Sequence, residues 1–195
     1  MSAQGEVQEA HHDLKEAIAS GRLSPQLQER AEGLLQKIER PFRVSVMGLP
    51  GSGKSTLLNL LLGANVIPEK VKLPTLQLSY AHEPLIQCTL PDGTQKSLPG
   101  DDLYALVELK PAFAQINLPL PALSKLSMME VVAGADEAEQ ARAIQWATKR
   151  TDIALWCSAT SFDENEEDIW AHTSEKVQDH AFLLLTKADD PAAAG

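Results

Sequence analysis

The apolar positions of this chain change period several times, and each change marks an element. In residues 1–40 most positions are polar, yet Leu27, Ala31, Leu34, Leu35 and Ile38 recur at helical spacing behind Ser24-Pro25. Serine there suits a cap and proline the first helical position. Two helices are therefore expected ahead of the main domain. The stripe on the second must bury itself, on the chain's own sheet or in a bundle with other helices. Residues 42–47 are a short β-prone run and residues 56–62 a helical one. Residues 75–80 alternate as a half-buried strand, and 85–90 with 95–98 flank Pro91-Asp92-Gly93 as a hairpin. A short helix over 101–108 and strands over 113–118 and 126–132 follow. A helix over 135–149, a buried strand over 153–157, a helix over 164–176 and an apolar strand over 181–185 complete the pattern.

Strands alternating with helices of this length predict an α/β fold of three layers, a mainly parallel sheet with helices on both faces. The expected division is a helical segment over 1–40 and an α/β domain over 41–195. Ligands of such sheets bind beyond the carboxyl ends of the strands.

The chemistry falls at such an end. Between the first strand and its helix stands Gly48-Leu49-Pro50-Gly51-Ser52-Gly53-Lys54-Ser55, followed by Thr56. It matches G-x-x-x-x-G-K-[ST], a match expected by accident in roughly one chain in a hundred of this length. Glycines let successive N–H groups turn onto a phosphate, Lys54 brings a point charge to the β- and γ-phosphates, and the Ser55 hydroxyl suits Mg²⁺. The helix that follows adds its positive dipole end. The alternative is a glycine-rich turn between packed elements; strand, loop and helix in this order favour a three-layer P-loop NTPase fold.

Composition narrows the partners. The net charge of −10 opposes general binding to nucleic acid or to an anionic membrane. The longest apolar runs are too short to span a bilayer, and the polar N-terminus has no secretory pattern. Cys88 and Cys157 form neither a metal spacing nor a disulfide framework, and the five histidines have no ligand spacing. A cytoplasmic location is expected.

A second motif follows the last apolar strand. Thr186-Lys187-Ala188-Asp189, 135 residues after Lys54, resembles the [NT]-K-x-D motif of translation-factor-like GTPases. The resemblance implies that Asp189 accepts the paired N–H donors of guanine, that the Lys187 stem lies over the base, and that Thr186 ties the motif to the phosphate loop. A strand-to-helix turn capped by Asp189 is the alternative.

The stretch G-S-G-K-S-T-L-L-N-L-L-L-G from Gly51 to Gly63 is similar to the loop and helix of dynamin-like GTPases, and helices before the domain are in keeping with that family. Leu73-Pro74-Thr75 resembles the family's first switch, which makes Thr75 the candidate to close over the γ-phosphate and ligate Mg²⁺. An ordinary strand-initiating threonine is its alternative. The resemblance implies GTP or GDP and Mg²⁺ as ligands, with Lys54 and Thr75 as catalytic residues and Ser55 and Thr75 at the metal. It also implies pairing of two copies, across the nucleotide face or through the N-terminal helices.

Three departures bear on hydrolysis. The family's second switch, D-x-x-G, has its place in Met128-Met129-Glu130-Val131-Val132-Ala133-Gly134, where Val131 stands at the aspartate position. Glu130 could replace it only with a one-residue shift of the strand end, which changes its face. Pro50 and Gly51 stand where the family tends to carry polar residues that orient water or meet developing charge. A complete domain of this kind continues past the base motif with a strand, a loop and a helix, so the C-terminal part reads as missing. The acidic run 163–168 reads as a solvated helix N-terminus, with a partner surface as the alternative. Nothing here resembles a lipid-binding tip or stalk. The expectation is a slow dynamin-like GTPase. The alternatives are a GTP/GDP-binding switch or scaffold with negligible hydrolysis and, least favoured, an ATP-binding P-loop protein.

Overall fold

The sparse apolar positions of residues 1–40 fold as two packed helices, α1 (Ala3–Ala19) and α2 (Pro25–Glu39), reversed at Gly21, whose φ of 64° suits glycine. The computed structural model describes residues 3–68, 71–100, 102–134, 136–159 and 161–187, and divides the chain into two compact units, residues 1–40 and 41–195. In the first unit Ala31 is buried and Leu35 half-buried, whereas Leu27, Leu34 and Ile38 are exposed, so only part of the expected stripe is covered. Ser24 takes the cap position of α2 without a side-chain cap bond, and Pro25 opens the helix.

The second unit is built on one sheet. Its elements in chain order are β1 (Phe42–Met47), α3 (Lys54–Leu62), β2 (Leu76–Tyr80), β3 (Leu85–Thr89), β4 (Gln95–Pro99), α4 (Tyr104–Leu109) and β5 (Phe113–Leu118). They continue with β6 (Leu126–Glu130), α5 (Glu137–Thr148), β7 (Ile153–Ser158), α6 (Glu164–Ala171), α7 (Glu175–Gln178) and β8 (Ala181–Leu185). The expected helix over 164–176 is two short ones, α6 and α7, parted at residues 172–174.

The eight strands lie in the order β4-β3-β5-β2-β6-β1-β7-β8. β6, β1, β7 and β8 are mutually parallel, while β2 meets β6 antiparallel and β3 pairs antiparallel with β4 and β5. β1 is central and buried from Val44 onward, as expected of a strand covered on both faces.

Alternation along the strands builds two cores. Val44, Val46, Leu76, Leu78 and Met128 pack on one face with Leu58 and Leu62 of α3, Leu106 of α4 and Leu123 of a 3₁₀ turn. Met47, Met129, Val131 and Trp156 pack on the other with Ile144 and Ala147 of α5, Ile169 of α6 and Val177 of α7. The three layers follow from this alternation. Ser45, fully buried in β1, is 2.6 Å from the Thr151 hydroxyl, which donates to the Ala147 carbonyl at 2.8 Å, so the sheet centre keeps its polar atoms partnered. Arg43 near the start of β1 and Asp152 just before β7 are joined by two side-chain bonds of 3.3 and 3.2 Å.

Candidate functional site

The glycine loop crosses from the end of β1 to the start of α3 above the carboxyl ends of β6, β1 and β7. Two glycines are required by the geometry. A Cβ on Gly48, at φ 132°, would collide with the Cys157 carbonyl oxygen at the end of β7. Gly53, at φ 83°, sits against Thr186, where a Cβ would lie 3.2 Å from its hydroxyl. The first intrahelical bond of α3 runs from Leu57 N–H to the Gly53 carbonyl at 2.9 Å, so the N–H groups at the helix start are free of intrahelical acceptors. Five loop residues, Gly51, Gly53, Lys54, Ser55 and Thr56, line one cleft of about 750 Å³ together with Asn59, Glu130 and Lys187. Exposed Pro50 contributes to a neighbouring cavity, half-buried Leu49 to a small void behind the loop, and Ser52 is buried with its hydroxyl unpartnered.

Lys54 is buried, and its ammonium donates to the carbonyls of Gly48 at 3.0 Å and Leu49 at 2.8 Å. Burial holds its pKa below the ordinary value, an effect opposed by the charge of Glu130. The Ser55 hydroxyl donates to Glu130 Oε1 at 2.7 Å. Glu130 is 5% exposed, and burial raises its pKa against the opposing effects of the Ser55 bond and the Lys54 charge. Burial also lifts the nearby Cys157 thiol to about 11, so this cysteine is not a thiolate nucleophile at neutral pH.

The position of Glu130 corrects the expectation for the second switch. Val46 is in register with Glu130, and Glu130 with Leu76, so all three side chains share the α3 face of the sheet. Val131 lies on the opposite face in the α5 core. The carboxylate that meets the phosphate loop is therefore Glu130, one residue earlier than the D-x-x-G spacing places it, and Val131 does not occupy that place. A hydroxyl and a carboxylate converging at the loop are hard oxygen donors of the kind Mg²⁺ takes.

Thr186 donates from its hydroxyl to the Ser52 carbonyl at 2.6 Å and to the Ser158 carbonyl at 3.1 Å. The strand carrying the second motif is thus bonded to the phosphate loop. Lys187 is exposed and lines the cleft; Asp189 lies outside the described residues. Thr75 is not brought to the cleft. Its hydroxyl accepts from Val132 N–H and donates to the Val132 carbonyl, both at 3.0 Å, which fastens the segment before β2 to the segment after β6.

Several supporting residues carried no signal of their own in sequence. Asn59 accepts at its carbonyl from Val66 N–H (3.0 Å) and Ile67 N–H (2.9 Å) and donates to the Ile67 carbonyl (2.8 Å), so it fixes the cleft wall after α3. An asparagine near a helix end, followed by Gly63, was the available signal. Within the acidic run Asp163 caps α6 by accepting from Glu166 N–H at 2.9 Å. Glu166 itself is not solvated as expected: it is 3% exposed and accepts from the Trp156 indole at 3.0 Å and the Ser158 hydroxyl at 2.8 Å.

With this geometry in place, comparison with known proteins is specific. Residues 43–93 match the sequence family described as 50S ribosome-binding GTPase. Dynamin-like protein 2 of Campylobacter jejuni is 25% identical over 205 aligned positions, covering 98% of this chain and 33% of that protein. An uncharacterised protein from the xynA 3′ region of Caldicellulosiruptor is 34% identical over 85 positions, 41% of this chain and 21% of that one. Two solved structures of an oligomerised bacterial dynamin pair, described as sensing and tethering membranes over long range, superpose with TM-scores of 0.61 and 0.62. They are 22% and 20% identical, covering 95% and 97% of this chain and 32% of each neighbour. The chain spans about one third of the length of the dynamin relatives it matches.

Proposed function

We propose that the chain is a dynamin-like GTPase that binds GTP with Mg²⁺ and hydrolyses it slowly to GDP and phosphate. The observation carrying this reading is the convergence of Lys54, Ser55 and Glu130 at the start of α3, with Thr186 bonding the second motif to the same loop. The N–H groups of residues 51–56 cradle the β-phosphate, and the ammonium of Lys54, exchanging its two loop carbonyls for phosphate oxygens, neutralises charge on the β- and γ-phosphates. Ser55 and Glu130 would hold Mg²⁺, which when bound would neutralise charge on the phosphates. Lys187 covers the base and Asp189 accepts its paired N–H donors. Thr75 leaves Val132 and closes over the γ-phosphate, and water attacks in line. Pro50 and Gly51 offer no side-chain hydrogen bond to position that water, so turnover is slow.

A switch or scaffold that holds guanine nucleotide without turnover is the second reading, favoured by the commitment of the Thr75 hydroxyl to Val132. Pairing of two copies across the nucleotide face or through residues 1–40 accompanies either reading. Titration with fluorescent GTP, GDP and ATP, with and without Mg²⁺, followed by phosphate release over hours, separates them. Mg²⁺-dependent release that Lys54→Ala abolishes supports the enzyme. Binding without release supports the switch, and a preference for ATP overturns the guanine assignment.

A further inference from the structure

The cleft has a second chamber. The second motif reaches the main cleft through Lys187, whereas Pro50 and residues 132–134 line a neighbouring cavity that lacks Lys187. This cavity, of about 450 Å³, shares Gly51, Lys54, Ser55, Ile67, Val71 and Glu130 with the main cleft and adds Lys72 and Leu73 to its wall. Most of the added wall is apolar or glycine. Among the described residues its cations are Lys54 and Lys72.

Lys72 differs from an ordinary surface lysine in how its backbone is held. Val71 and Leu73 on either side pack against the core, Leu73 being 7% exposed. The four-carbon stem therefore starts from a fixed point on the chamber wall and carries a mobile point charge into its reach. No described side chain forms an ion pair with it. In a chain of net charge −10, whose phosphate loop has no polar side chain at Pro50 or Gly51, a cation so placed meets whatever anion enters that chamber.

We infer that Lys72 is a specificity-determining residue that pairs with the γ-phosphate from within the same chain and sets the preference for GTP over GDP. The inference rests on the assignment of the cleft to guanine nucleotide. It supplies from the segment before β2 the charge that the phosphate loop lacks at Pro50 and Gly51. A charge-assisted contact to a terminal phosphate at a solvent-open site corresponds to about a tenfold change in affinity.

The test is the ratio of Kd for GTP to Kd for GDP in Mg²⁺ buffer, measured for wild type, Lys72→Ala, Lys72→Arg and Lys96→Ala. Lys96 is exposed on β4 and controls for loss of one positive charge. The expected result is that Lys72→Ala weakens GTP about tenfold and GDP less than twofold. Lys72→Arg should restore the ratio, and Lys96→Ala should leave it unchanged. Equal losses for both nucleotides, no loss, or the same shift in Lys96→Ala overturns the inference while the GTP assignment stands. A wild-type chain that binds neither nucleotide overturns both.

Discussion

Replacing Glu130 with glutamine tests the centre of the site. The substitution keeps side-chain volume and an acceptor for the Ser55 hydroxyl, now at 2.7 Å, while removing a negative charge that is 5% exposed. A hydrogen bond to a charged acceptor is worth about 1.5–3 kcal/mol and one to a neutral acceptor about 0.5–1.5, so the bond itself weakens by about 1 kcal/mol. The cost of burying the charge is relieved at the same time, so net stability should change by no more than about 1 kcal/mol. The effect on Mg²⁺ should be larger, because the carboxylate is the anionic donor beside Ser55. We expect the gain in GTP affinity on adding Mg²⁺ to shrink at least about tenfold in Glu130→Gln, equivalent to about 1.4 kcal/mol. Fluorescent-nucleotide titration in Mg²⁺ and in EDTA measures that gain. The pH dependence has a definite sign. Burial raises the Glu130 pKa above its ordinary 4.5, so its contribution to stability is full below 4.5 and is lost as pH rises through the raised value. Urea unfolding of wild type should show that loss and Glu130→Gln should not. A variant that keeps the whole Mg²⁺-dependent gain would refute the placement of Glu130 at the metal.

Three further predictions follow from the same geometry. Thr75→Val removes both bonds to Val132 and should cost about 1 kcal/mol in urea unfolding. Single-turnover hydrolysis should fall more than about tenfold with GDP affinity unchanged, and unaltered hydrolysis would leave Thr75 a purely structural tether. Glu166→Leu strands the Trp156 indole, while the Ser158 hydroxyl keeps the Ser161 carbonyl, and should destabilise by about 1–3 kcal/mol, seen as a lower urea midpoint, with Glu166→Gln losing less. Asp189→Asn should weaken GTP while circular dichroism and the urea midpoint stay unchanged, because one carboxylate accepting two donors is replaced by a group that accepts and donates; equal affinity would count against base reading.

Much of the element order was legible because local periodicity reports local structure. The runs at 42–47, 85–90 and 153–157, and the glycine loop between β1 and α3, needed no tertiary information. The chemistry expected of Gly48 to Ser55 was equally local, since eight consecutive residues carry the whole motif. Alternation in β6 could say that Glu130 and Val131 face opposite ways, but not which face meets the phosphate loop. That was settled by pairing with Val46 and Leu76, on strands about 50 to 80 residues away in sequence. Contacts between elements, which periodicity does not report, also hid the clasp of Thr75 on Val132, the burial of Glu166 under Trp156 and the entry of Lys72 into the chamber beside Lys54. Sequence by itself thus determined the strand, loop and helix of the candidate phosphate site, while the tertiary structure decided which carboxylate shares it, because a pleat fixes faces in pairs and only register chooses between them.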